Sequence, residues 1–234
     1  MSDLQARLDA AMAHYAQGQF EAAVQDFDWV LLAIPHIAAI HINRGLALWG
    51  LGQFEDAIAS YSRAIAVEPQ NAIAYNERGN ARYALRQNEA ALTDFEQAVV
   101  FNPQLLPARK NRGLLLLNAQ KYEAAMQDFV YAVQIDAADA DLHYNLGLSL
   151  LHLGRPKEAI YRFEQTLLLN PEYANVVFNE QYCRLVVCDY AQGWKLFERR
   201  WESDVMTRDR RQYAQPLWLG QEPLADLETL LDTF

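Results

Sequence analysis

The sequence predicts an all-α fold, an α-solenoid of about six helix–turn–helix repeats. The first observation behind this is a repeating set of small, aromatic and proline residues. Gly45, Ala57, Tyr61, Ala64 and Pro69 return 34 positions later as Gly79, Ala91, Phe95, Ala98 and Pro103. Further shifts give Gly113, Ala125, Phe129 and Ala132, then Gly147, Ala159, Phe163 and Pro171, and a backward shift gives Ala11, Ala23, Phe27 and Pro35. The second observation is helical spacing of apolar residues within a copy: Ile42, Leu46 and Trp49 in one segment, Ile58, Tyr61 and Ile65 in the next. The third is composition: 52% of the residues are hydrophobic, which suits packed helices.

Each boundary has a local cause. Ser2 with Gln5 forms a candidate capping box for the first helix. Repeat one runs about 4–37, with Gly18 and Phe20 at its internal turn. In repeat two, 38–71, Gly52 separates the helices, Pro69 stops the second and Asn71 can cap the helix that follows. Gly45 and Ala57 are small where helices cross, and a larger side chain there would overpack the contact. Tyr61 and its equivalents are expected to fill the space between repeats. Repeat three, 72–105, departs at its turn, where Arg86, Gln87 and Asn88 replace the Gly-and-aromatic pattern. Repeat four, 106–139, has Ala137 in the Pro position, with Asp139 as the next cap, and a looser joint is expected there. Repeat five, 140–173, restores Gly154 and Pro171. The sixth, 174–201, is degenerate: Gln181 takes the Gly slot and Arg200 the last small slot, while Gly193 and Phe197 keep register. The solenoid is therefore expected to span 1–201. Residues 202–234 are expected to form a C-terminal cap or the start of a following domain, with Leu224, Leu227, Leu231 and Phe234 suggesting a short amphipathic helix.

The period and the occupied slots resemble the tetratricopeptide repeat family. The resemblance implies a right-handed superhelix whose first helices line the inner, binding side. No single hairpin can bury its apolar face alone, so stability must come from stacking copies.

Charge and chemistry narrow the function. A net charge of −10 argues against nucleic acid, whose binding needs cations to neutralise phosphates, and suits basic partners. No secretion signal is evident in Met1–Ala10 and no apolar run approaches spanning length, so a cytoplasmic location without membrane contact is expected. Cys183 and Cys188 read as free thiols facing different directions. The five His residues show no metal-ligand spacing, Gly50-Leu51-Gly52 is a turn and not a phosphate loop, and no nucleophile motif is present. No catalytic residue, metal or cofactor is expected, and the chain reads as non-enzymatic.

Asn43, Asn111, Asn145 and Asn179 share one slot, with Glu77 in that slot of repeat three and Asn76 one place earlier. An amide both donates and accepts, so such a row can pair with an extended peptide backbone whatever its sequence. The row resembles the Asn row lining the repeat superhelix of the O-GlcNAc transferases. Trp49, Tyr83 and Tyr144, with Tyr15, Leu114, Phe178 and Tyr182, share that face as candidate anchors, unless they pack between first helices. Arg44, Arg78 and Arg112 form a second row, expected to pair across repeats with Asp26, Asp94 and Asp128 as Asp26–Arg44 and Asp94–Arg112. The chaperone-tail clamp of some family members is excluded, because only Lys110 and Asn145 match it while Leu114, Asn175 and Asn179 fill the other places.

Tyr190–Trp201, then Pro216-Leu217-Trp218-Leu219-Gly220 and Pro223, resembles the junction where repeats lead into a glycosyltransferase domain in bacterial proteins. Trp194, Trp201 and Trp218 read otherwise as a cap on the solenoid end. The function expected from the sequence is a scaffold that holds an extended peptide or protein. The alternative is the substrate-recruiting arm of a truncated or split glycosyltransferase. Self-association through the solenoid ends is a further possibility.

Overall fold

A computed structural model of the chain describes residues 2–198, which hold twelve α-helices and no strand. They divide into two compact units, one through Lys121 and one from Tyr122. The expectations for Arg200, Trp201, Trp218 and residues 202–234 lie outside the described residues.

The first unit contains α1 (Ser2–Ala16), α2 (Phe20–Ala33), α3 (Ala38–Gly50), α4 (Phe54–Val67), α5 (Ala72–Ala84), α6 (Asn88–Phe101) and α7 (Leu106–Asn118). Each helix packs on the next, and the first helices α3, α5 and α7 also touch in succession, so the hairpins stack as the period requires. The second unit contains α8 (Tyr122–Ile135), α9 (Ala140–His152), α10 (Pro156–Leu169), α11 (Ala174–Val186) and α12 (Tyr190–Glu198), stacked in the same way. The fold is thus an all-α stack of helix–turn–helix repeats. No described helix is long and apolar enough to cross a membrane.

The small-and-aromatic code has a direct packing cause. A Cβ on Gly45 would sit 2.5 Å from the ring of Tyr61, one on Gly79 2.7 Å from Phe95, and one on Gly147 2.5 Å from Phe163. Each ring therefore lies on the glycine of its own hairpin, a contact beyond its expected place between repeats. Tyr61 also belongs to a buried cluster with Ala74 and Ala81 of the following repeat, so one ring serves both contacts.

The turns repeat as strictly as the helices. Gly18, Gly52 and Gly154 have φ of 73°, 72° and 70°, and Arg86, Gln120 and Cys188 take the same left-handed position at 61°, 59° and 63°. At Arg86 the departure in sequence therefore leaves the turn unchanged. Gln87 N–H donates to Arg82 C=O at 2.9 Å, as Gln53 N–H does to Leu48 C=O at 3.0 Å. Both are the bond that closes a helix C-terminus around a left-handed residue. Asn71 and Asp139 cap their helices as expected, accepting from Ala74 N–H and from Asp141 and Leu142 N–H. Gln5 Nε2 donates to Asp9 one turn further along α1, at 2.8 Å.

The expected Asp–Arg ladder is corrected. Asp94, buried, is held by Arg78 in a two-pronged contact of 2.7 and 3.0 Å and by Arg82 at 2.8 Å. All three belong to one hairpin, with Arg78 and Asp94 equidistant from the turn at Arg86 and so level with each other across it. In repeat one Asp26 takes Arg7 at 2.9 Å and His14 at 2.8 Å, and not Arg44. Ala10 is the residue level with Asp26, so Arg7 and His14, one turn to either side of it, supply the partners. Arg44 binds Asp28 and the Ser60 hydroxyl instead.

Candidate functional site

In the first unit the candidate face is built on α1, α3, α5 and α7. Asn43 donates to Met12 Sδ at 3.5 Å, a weak bond joining α3 to α1. Trp49 at the end of α3 is 37% exposed, with its edge against Phe54 at a ring separation of 4.9 Å. Tyr83, the equivalent residue of α5, is 42% exposed and has Asn88 where Trp49 has Phe54. On α5 and α7 lies a closed polar ring. Glu77 accepts from Asn76 Nδ2 at 2.8 Å and from Asn80 Nδ2 at 3.1 Å. Asn111 Nδ2 in turn donates to Asn80 Oδ1 at 2.8 Å and to Asn76 Oδ1 at 3.3 Å.

This ring explains why Glu77 is tolerated in a row of amides. Its two oxygens orient the donor ends of Asn76 and Asn80, which turns both acceptor ends toward Asn111 on the next first helix. Asn76 is only 3% exposed, so its amide is a structural part of the ring and not an open contact. Asn80 was not singled out from sequence. Its signal was its place one turn beyond Asn76, where α-helical neighbours meet.

In the second unit the face is built on α9 and α11. Asn145 is buried and donates to Asp141 C=O of its own helix at 2.7 Å. Asn179 donates to Tyr144 Oη at 3.2 Å, joining α11 to α9, and to Asn175 C=O at 3.2 Å. Tyr144 stacks at a tilt on Tyr173, 4.9 Å away, and Tyr173 Oη donates to Asp141 at 2.8 Å. Burial raises the Tyr144 hydroxyl above its ordinary pKa, against the smaller lowering effect of Asn179. Burial and then Asp141 raise that of Tyr173. Both phenols therefore remain neutral and able to donate. Phe178 and Tyr182 flank Asn179 on α11 and are 69% and 53% exposed.

The structure thus sorts the candidates. Trp49 and Tyr83 are open to solvent, Tyr144 is half-buried between rings, and Asn76 and Asn145 are buried. Asn43, Asn111 and Asn179 are half-buried and bond a neighbouring first helix in each case. Among the described residues no group of His, Cys, Asp and Glu is placed to hold a metal ion. Two of the histidines have a joint-binding role instead. His41 and His143 meet the carbonyls of Pro35 and Ala137 at 2.9 and 3.1 Å, and Arg109 in the same slot donates to Pro103 C=O at 2.6 Å.

Family models described as tetratricopeptide repeat match residues 8–52, 42–105 and 140–173, and one described as TPR repeat matches 113–154. These matches end before the segment that begins at Tyr190. No curated protein matches the sequence. Among solved structures, YrrB, described as a TPR protein with an unusual peptide-binding site, is similar with a TM-score of 0.71 at 19% identity, over 75% of this chain and 91% of its own. PilF of Pseudomonas aeruginosa is similar with a TM-score of 0.70 at 16% identity, over 88% and 95%. MamA from Desulfovibrio magneticus RS-1 gives 0.65 at 20% identity, over 75% and 97%.

Proposed function

Because this chain belongs to the tetratricopeptide repeat family, we propose that it is a non-catalytic protein-interaction scaffold whose first helices hold an extended peptide or protein segment. The observation that carries the proposal is the pair Trp49 and Tyr83, solvent-open aromatics on successive first helices of the first unit, with the polar ring of Asn76, Glu77, Asn80 and Asn111 on α5 and α7. Bulky aromatics anchor partners by filling pockets at little entropy cost, while amides satisfy a strand-like backbone. The proposed contacts are therefore Trp49, Tyr83 and the outward edges of Asn43 and Asn111. In the second unit they are Asn179 with Phe178 and Tyr182. Asn76, Asn145 and Tyr144 act behind these as positioning residues. Glu77 and the net charge of −10 favour peptides carrying Lys or Arg at the first unit.

The test is peptide selection on the intact chain from a random displayed library, followed by titration of the enriched sequences against wild type and a Trp49→Ala/Tyr83→Ala variant. Enriched peptides should be basic, and the variant should weaken them by at least about tenfold, since truncated hot spots cost about 1–2 kcal/mol or more each. Its melting temperature should stay within a few degrees, because both side chains are part-exposed. Equal affinity in the variant would remove the assignment.

A further inference from the structure

The second unit carries another recess, lying between the second helices α8 and α10 and sharing no residue with the face described above. It is a cleft of about 320 Å³. The buried side chains of Leu146 and Leu150 reach it from α9, and the exposed Val130 and Tyr161 border it from α8 and α10. Its charge is out of keeping with its surroundings. Residues 122–198 contain five cations (Arg155, Lys157, Arg162, Arg184 and Lys195) against eleven Asp and Glu, yet three of the five line this cleft with one carboxylate, Glu158.

That carboxylate is committed. Arg155 grips both Glu158 oxygens at 2.6 and 2.7 Å. Lys157 forms no ion pair among the described residues, and Arg162 lies over the Tyr161 ring at 5.2 Å, likewise without one. Arg184, by contrast, is claimed by Glu164, Glu180 and Asp189. In a unit so rich in acid, an apolar cleft that gathers unpaired cations is complementary to one kind of occupant. We propose that this cleft binds an acidic peptide, with one bulky apolar side chain seated on Leu146 and Leu150 and flanking carboxylates met by Lys157 and Arg162. Apolar burial supplies affinity, and the cations supply selectivity and a salt-dependent on-rate. The chain would thereby carry a second docking surface of opposite charge preference to the first.

The proposal is tested on the full chain with a fluorescein-labelled peptide of roughly eight residues, Glu and Asp around a central Leu-Phe pair, and a counterpart with Lys at every acidic position. The acidic peptide should bind at least about tenfold tighter than the Lys peptide and weaken as salt rises from about 50 to 300 mM. Lys157→Glu/Arg162→Glu should remove that preference, Lys157→Gln/Arg162→Gln should reduce it with the fold intact, and Trp49→Ala/Tyr83→Ala should leave it unchanged. The proposal is overturned if the acidic peptide binds no better than the Lys peptide, or if the glutamine variant binds it as wild type does. Loss through the Trp49/Tyr83 variant, or equally tight binding of an oligothymidine, would overturn it as well. Failure here leaves the first-helix face untouched, because that face is read out by a different variant and by basic peptides.

Discussion

At the scale of single residues, the most informative position is Tyr61. Its equivalents Phe27, Phe95, Phe129 and Phe163 are buried without a polar atom, whereas the Tyr61 hydroxyl is buried with no hydrogen-bond partner. Desolvation, with added repulsion from Glu77 and Tyr15, raises its pKa far above the ordinary tyrosine value. An unpaired buried hydroxyl costs about 1–3 kcal/mol, while the ring supplies the packing, so Tyr61→Phe should stabilise by about 1 kcal/mol. The sign of its pH dependence follows from linkage. The folded state keeps this phenol protonated while the unfolded chain releases the proton near pH 10, so its contribution is lost as pH rises above about 10. Calorimetry should show a higher Tm for the variant at neutral pH and a margin over wild type that widens above pH 10. The cysteines also divide by environment. Cys183 is buried, with its thiol pushed up to about 11 by desolvation and then by Glu180, while Cys188 is exposed in the left-handed turn position.

Individual elements show what was legible in the sequence and what was not. The small slot at Gly45 and the large one at Tyr61 were readable because a steric demand fixes size at a set spacing, and so were the Asn71 and Asp139 caps, but that the ring lies on that glycine was not. The turn at Arg86 was not, because residue identity only biases the left-handed conformation while the helix-closing hydrogen bond imposes it. A Cβ at the equivalent Gly18, Gly52 and Gly154 would meet nothing within 4 Å, so the cost at Arg86 is conformational and not steric crowding. Arg86→Gly should therefore stabilise by about 0.5–1 kcal/mol, the left-handed penalty of about 1–2 kcal/mol less the added entropy of the unfolded chain. Denaturant melts with an unchanged slope should check it. Partner choice was the other illegible layer. A cation slot and an acid slot were visible, but whether they close one hairpin or join two depends on the helix face each residue occupies, and Asp94 turns inward to Arg78 and Arg82.

For the molecule as a whole, the repeat is legible because every copy must solve the same stacking problem, so its solution is written in each one. The binding face is less legible because the same amides serve two ends. Asn111 and Asn179 bond the preceding first helix, and only what remains of their polar surface can meet a partner. The central claim is that the exposed aromatics and amides of the first helices are where this chain grips a peptide. The most direct measurement is amide NMR mapping of the intact chain during titration with a basic peptide obtained by selection. The account predicts shifts concentrated on α3, α5 and α7 around Trp49, Tyr83 and Asn111. Shifts confined to the second helices α2, α4 and α6, with those residues unmoved, would contradict it.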